Sequence, residues 1–450
     1  MEDGGFGIVE RFFRLSERGT TVGTEVKAGV TTFMVMVYIV AVNPLILSNA
    51  GIDIGAAAAA TALVAAVMTI LMGLVANYPI AIAAGLGING VVAFGLVLGA
   101  GLTPAGAMGV IVMEGIVVTV LVVVGLREAV MNAVPLSLKR AIAVGIGLFI
   151  LFIGFVDGGL IGRPFGDGPV PVEFVFPNTT FAWVTLIGLA ITIVLWVRKV
   201  PAALLLSIVI TSLIAWVLGV TEFPKEFSVT PDFSTIGAFD LGNVFSHLGL
   251  VAAVLTIFTI MLADFFDTMG TATAITEQAG LAKDDGSVPG IGRVLLVDSV
   301  AAVAGGAAGI SSNTSYIESA AGVAEGGRTG LTSIVVGVLF LVMVVASPLV
   351  ELVPFAATAP VLIVVGYLMA RLIKDIDFTD FEEGMPALLG VILMPLTFSI
   401  TVGIGAAFVS WVVIKVVLGK LSSIHPLMWV VSIAFVVYFA QSWLNTILPK

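Results

Sequence analysis

Apolar runs long enough to cross a lipid bilayer follow one another from Val30 to Ile447, with only short polar breaks. A hydrocarbon core about 30 Å thick needs about 17–25 residues of helix. Inside it every backbone N–H and C=O must be satisfied within the protein, so such runs fold as helices. The candidate spans are 30–47, 56–75, 80–98, 105–124, 141–155, 181–197, 202–218, 248–267, 294–308, 312–324, 330–346, 354–369, 385–400, 403–417 and 426–447. Composition agrees, with 59% hydrophobic and 11% charged residues, against about 25% charged in a globular domain. The chain reads as an all-α polytopic membrane protein. The first fourteen runs form an even set, and 426–447 is either a further span or a surface helix.

Charges give an expected orientation. Arg11, Arg14, Arg18 and Lys27 precede the first run, and Arg127, Lys139 and Arg140 follow the fourth. Arg198 and Lys199 follow the sixth, Lys283 and Arg293 the eighth, Arg328 the tenth, Arg371 and Lys374 the twelfth, and Lys420 the fourteenth. The opposite loops hold little beyond Arg163 and Lys225. Basic residues collect on the cytoplasmic side, so the N-terminus is expected there, in a plasma-membrane protein of fourteen spans. The polar segment 1–27 lacks the short apolar core of a cleaved signal peptide. With no cysteine and two histidines, disulfides and thiolate chemistry are excluded. A His-rich metal site is not expected, nor is a cofactor. The net charge of −10 lies mostly in loops, and no nucleic-acid partner is expected.

Seven runs precede the long polar loop 221–243, and an odd number per half makes the second half inverted. Landmarks match between the halves. Val134-Pro135 precedes the fifth run, and Val353-Pro354 the twelfth. The third contains Gly85-Leu86-Gly87-Ile88-Asn89-Gly90, and the tenth, in the matching place, Gly309-Ile310-Ser311-Ser312-Asn313-Thr314-Ser315. Both read as short extended entries that turn into half-helices. Such breaks are tolerated in a membrane only where they line a cavity or are buried in protein. The plainer alternative is that these small residues are helix-packing surfaces. The first stretch also fits the dinucleotide pattern G-x-G-x-x-G, but that fold needs a soluble strand–turn–helix unit, and the flanks here are membrane spans.

Asp264 and Asp267 close the run that begins near Leu248. A charge at the bilayer centre costs roughly 2.5–3.5 kcal/mol on insertion scales. Residues three apart share a helix face, so this face must look into protein or a polar cavity. The functional reading is substrate hydrogen bonding and proton coupling. The plain one is that Asp267 ends the helix, exposed at the cytoplasmic face. Thr268 and Thr271 are expected as local hydrogen-bonding partners or an end cap. Glu318, in Ser315-Tyr316-Ile317-Glu318, fits a capping box. A helix starting inside the membrane would also bring its N-terminal dipole end to a ligand. Asn89 offers both a donor and an acceptor and is expected to face Glu318. A planar heterocycle suits Asn plus carboxylates, whereas an inorganic anion would ask for Arg or Lys, and none lies in these segments. Asp298 is expected to pair with Arg293 or to cap a broken helix, and Glu114 to contact a neighbouring core helix. An intramembrane enzyme would need paired catalytic groups or metal ligands, and no His or Cys lies near Asp264.

The chain resembles the AzgA-like purine permeases of the nucleobase–ascorbate transporter superfamily. The resemblance is carried by Gly19-Thr20-Thr21-Val22-Gly23-Thr24-Glu25, Ala28-Gly29-Val30-Thr31-Thr32-Phe33, Val42-Asn43-Pro44 and Gly87-Ile88-Asn89. Asp264 through Thr271 and Ser315 through Thr329 complete it. It implies a fourteen-span, seven-plus-seven inverted repeat with spans three and ten broken, divided into a core and a gate. In this chain the divisions are 1–27 (cytoplasmic segment), 28–125 and 247–351 (core), 126–220 and 352–450 (gate), and 221–246 (extracellular loop). The resemblance implies proton-coupled uptake of adenine, guanine or hypoxanthine, with core moving against gate, and a homodimer. A transporter of the same fold for uracil, xanthine or an anion is the alternative. By motif position Asn89, Asp264 and Glu318 bind substrate, with Asp267 supporting. One difference stands out: the family usually places an aromatic soon after the Asn of the third span, where Gly90, Val91 and Val92 stand here.

Overall fold

The computed structural model describes residues 4–125, 133–162, 172–221, 230–282 and 288–447. Four of the orientation charges, Arg127, Arg163, Lys225 and Lys283, lie outside the described residues. The first half holds helices α1 (Gly4–Phe13), α2 (Val22–Met36), α3 (Ile39–Ser48), α4 (Ile54–Leu71), α5 (Leu86–Gly90), α6 (Pro104–Val123), α7 (Leu136–Asp157), α8 (Thr180–Val197) and α9 (Ala203–Val217). The second half holds α10 (Leu241–Leu248), α11 (Leu250–Gln278), α12 (Ile291–Ala307), α13 (Ser319–Ala324), α14 (Gly330–Ala346), α15 (Phe355–Ala370), α16 (Phe381–Thr397), α17 (Ile400–Val417) and α18 (Pro426–Ile447). Among the described residues nine helical segments are long and apolar enough to cross a membrane, and three shorter apolar helices accompany them.

Capping residues explain where many helices start. Thr21, Asp53, Thr103, Thr179, Asp240, Thr329, Asp380 and Ser399 each accept a backbone N–H of the first turn that follows. A side-chain acceptor there satisfies a donor that has no partner within the helix. The first and eighth apolar runs differ from their expected form. The first bends at Val37-Tyr38, dividing α2 from α3. The eighth does not stop at Asp267: α11 continues to Gln278 over 29 residues, about 44 Å at 1.5 Å per residue. Asp264 and Asp267 therefore lie in mid-helix, not at a frayed cytoplasmic end.

Among the described residues four strands accompany the helices: β1 (Ile82–Ala84), β2 (Ile161–Gly162), β3 (Glu173–Phe174) and β4 (Asn313–Ser315). β1 pairs antiparallel with β4 in the register Ile82–Ser315, Ala83–Thr314 and Ala84–Asn313. Every residue of this pair is buried. The backbone groups freed by leaving the helix are thus satisfied across the pair, as buried irregular backbone requires. Gly85 N–H extends the ladder to Ser312 O at 2.8 Å.

The helices fall into two packed groups. In one, α4 and α2 pack on α14, and α6 packs on α12. In the other, α7 packs on α15 and α16, α8 on α9 and α15, and α16 on α17. Small residues allow the close approaches, as expected where lipid supplies no hydrophobic drive between helices. A Cβ on Gly366 would stand 2.5 Å from Gly147 O. The second group also has its own polar clasp. Glu383 accepts from Trp411 Nε1 at 3.1 Å, and Lys415 pairs with Glu382 at 2.7 Å and Glu383 at 3.0 Å.

Candidate functional site

The β1–β4 pair has a helix running on from each strand, α5 after Gly85 and α13 after Glu318. Beside it opens a cavity of ≈ 80 Å³ whose wall includes Tyr38, Gly87, Asp267, Thr271 and Glu318. A smaller cavity of ≈ 20 Å³ adjoins it and shares Gly85, Gly87, Asp267 and Met369. Its apolar lining comes from both groups, Ile88 of α5 and Phe266 of α11 facing Ile142 and Ile146 of α7 and Met369 of α15. The site therefore lies where the two groups meet.

Glu318 accepts from Tyr38 Oη at 2.7 Å. Tyr38 stands in the bend between α2 and α3, which turns its side chain toward the start of α13. Tyr316 Oη donates to Ala84 O at 2.5 Å, locking the segment after β4 onto β1. The capping box expected from Ser315 and Glu318 does not form. Glu318 occupies the N-cap position of α13 without a side-chain cap bond, and Ser315 Oγ donates instead to Asp298 Oδ1 at 2.8 Å. Tyr38 takes the carboxylate, because Glu318 stands at the cavity wall ahead of the six-residue α13.

Asp264 and Thr268, on the same helix as Asp267, turn away from the cavity into a buried polar network. Asp264 Oδ2 accepts from Ser312 Oγ at 2.9 Å. Asp298 accepts from Ser315 N–H at 2.7 Å and from Thr268 Oγ at 2.6 Å. Thr268 Oγ also lies 2.7 Å from Thr314 Oγ. Asp298 thus anchors β4 and forms no ion pair with Arg293 among the described residues, because β4 presents donors directly over α12. Glu114 of α6, which packs on α11, lies beside the Asp264 carboxyl, and neither of its oxygens has a hydrogen-bond partner among the described residues. Asn43 ties α3 to the approach of β4, donating to Thr61 Oγ at 2.8 Å and Ile310 O at 3.2 Å.

Of the residues singled out from sequence, Asp267, Thr271 and Glu318 share the cavity wall, while Asn89, Asp264 and Thr268 do not line it. Asn89 is fully buried on α5, and neither of its amide atoms meets a protein partner. The expected face-to-face arrangement of Asn89 and Glu318 is absent, because the side of α5 that reaches the cavity is that of Leu86 and Gly87. Sequence reasoning missed Tyr38. The signal that could have found it is a hydroxyl in an otherwise aliphatic run, just ahead of Asn43-Pro44.

Comparison with known proteins places this architecture. The model of the permease family Xan_ur_permease matches residues 23–409. The adenine permease AdeP of Escherichia coli (strain K12) is 40% identical over 434 residues, covering 96% of this chain and 96% of that protein. The guanine/hypoxanthine permease PbuO of Bacillus subtilis (strain 168) is also 40% identical over 434 residues, covering 94% of this chain and 98% of that one. Among solved structures, the transmembrane domain of a cyanobacterium bicarbonate transporter, BicA, superposes with a TM-score of 0.64 at 17% identity, covering 86% of this chain and 97% of that domain.

Proposed function

Since the chain belongs to the permease family Xan_ur_permease, within the nucleobase–ascorbate superfamily, and is a multi-pass transporter rather than an enzyme, we propose that it takes up purine nucleobases by proton symport. It does so in the plasma membrane, with the N-terminus in the cytoplasm. The reading extends to fourteen spans in a seven-plus-seven inverted repeat, with β1–α5 and β4–α13 as the interrupted third and tenth. The first helix group (α2–α6, α11–α14) is the core, and the second (α7–α9, α15–α17) is the gate.

The observation that carries this proposal is the meeting of Asp267 and Glu318 on one small cavity at the β1–β4 pair. A purine presents ring N–H donors and ring acceptors along one plane. The two carboxyls accept from the N–H groups, while Tyr38 and Thr271 hydroxyls and the Gly87 backbone complete a flat, directional site. Among the described residues no Arg or Lys lines either cavity, so an inorganic anion meets no cationic partner from them. Asn89, Asp264 and Thr268 act from behind the wall, Asp264 in proton coupling, while Asp267 supports the substrate from the wall itself.

Competition of labelled hypoxanthine uptake by purines, pyrimidines and inorganic anions, with and without a proton gradient, tests the proposal. Purines alone should compete, and a protonophore should stop accumulation. Competition by bicarbonate or uracil in place of purines would replace the substrate. Accumulation sustained by sodium alone would replace the proton.

A further inference from the structure

Three carboxyls from three helices, Glu114 of α6, Asp264 of α11 and Asp298 of α12, meet beneath β4, and none of them lines the cavity. All three are buried, Glu114 completely. Asp264 and Asp298 receive hydroxyl and backbone donors from β4, its approach and α11. Glu114 receives none of that kind. Both of its oxygens and Asp264 Oδ1 are sealed from solvent with no hydrogen-bond partner among the described residues, and α6 packs on α11 so that the group beside Glu114 is the Asp264 carboxyl. The titratable groups around Glu114 are Asp264 from α11 and Asp298 from α12. Among the described residues no Lys or Arg forms an ion pair with any of the three.

Carboxylates only accept hydrogen bonds, so two carboxyls can bond each other only when one carries a proton. Buried like charges without a counterion neutralise themselves by binding protons. We propose that Glu114 and Asp264 share a proton, and that this pair is the coupling-proton site, separate from the purine site. The link to transport rests on the reading above and follows from connectivity. Asp264 holds Ser312, just before β4, and Asp298 holds Ser315, at its end. The chain then runs straight through Tyr316 into Glu318 on the cavity wall. Losing the shared proton leaves two adjacent carboxylates, one more negative charge than before, under the strand that positions that wall.

The pair can be tested without any purine. Infrared difference spectra of the purified wild-type protein over a pH titration should show a carboxylic-acid C=O band. Glu114→Gln should lose it, and so should Asp264→Asn, which empties the pair from the other side and decides the matter if the first variant fails to fold. Glu114→Asp should keep it. In proteoliposomes, the pH dependence of hypoxanthine uptake should flatten in Glu114→Gln and persist in Glu114→Asp. An unchanged band in Glu114→Gln, or a wild-type pH profile in that variant, overturns the proposal. So does a band that disappears when sodium is added. A wild-type band in a protein that moves no purine supports the proton pair and sinks only the purine reading.

Discussion

At the scale of single residues, the acids stand out in the sequence because a charge within an apolar run is costly and must have a partner. That reasoning found Asp264, Asp267 and Glu318, and the helix period put the two aspartates on one side of α11. It could not tell which of them reaches the cavity. A separation of three residues turns a helix by about 300°, and the residual angle sends Asp267 to the cavity and Asp264 to Ser312. Nor could spacing reveal that Tyr38, some 280 residues from Glu318 in sequence, donates to it. This pair makes a graded prediction. Hydrogen bonds to a charged group contribute about 1.5–3 kcal/mol. Tyr38→Phe removes one donor and frees the carboxylate to reorient, so hypoxanthine affinity should fall by about tenfold, the equivalent of 1.4 kcal/mol. Glu318→Gln removes the charge and turns one acceptor oxygen into an NH2 donor at the proposed purine site, so the loss should be larger. Equilibrium binding to both variants measures this, and equal affinity in Glu318→Gln and wild type would remove Glu318 from the substrate site.

At the scale of elements, sequence marks helix beginnings well, because Ser, Thr and Asp side chains cap them by a local mechanism. It marks the end of α11 badly. Asp264-Phe265-Phe266-Asp267 followed by Gly270 resembles a terminus, yet partners on α12 and β4 hold the polar residues inside. The two central strands are three residues each, too short for any period to show. Glu25 is a cap built from a distance. It is fully buried on α2 and accepts from the N–H groups of Arg328 at 2.8 Å, Thr329 at 3.2 Å and Thr332 at 3.1 Å, at the start of α14. A carboxylate suits the positive end of the helix dipole. Glu25→Ala leaves these donors unsatisfied at about 1–3 kcal/mol each, so the midpoint of thermal unfolding in detergent should drop clearly. Glu25→Gln, which keeps an acceptor oxygen, should drop it less. If both variants melt with the wild type, α14 is held by packing alone.

At the scale of the whole molecule, apolar run lengths and the odd number of runs before the long loop point to many spans and two inverted halves. They do not say which helices of the two halves pack together, since that depends on close approaches such as Gly147 on Gly366. The proposed movement of core against gate has a direct test at one such approach. Gly87 on α5 faces Ile146 on α7 across the boundary between the groups. A Cβ built on Gly87 would lie 3.8 Å from Ile146 Cβ, and its clash at 2.4 Å is with Ile146 Cγ2. Replacing both residues by cysteine removes the clashing methyl and leaves a Cβ separation within the 3.5–4.5 Å range of a disulfide, as a rough guide. The natural chain has no cysteine, so a bond formed on oxidation of Gly87→Cys/Ile146→Cys can join only these positions. Hypoxanthine uptake should stop on oxidation and return on reduction, while each single variant is insensitive to the oxidant. The locked protein should still unfold cooperatively and at higher temperature. Full uptake by the oxidised double variant, with cross-linking verified by mass, would mean that α5 and α7 travel together. The boundary between moving parts would then have to be drawn elsewhere.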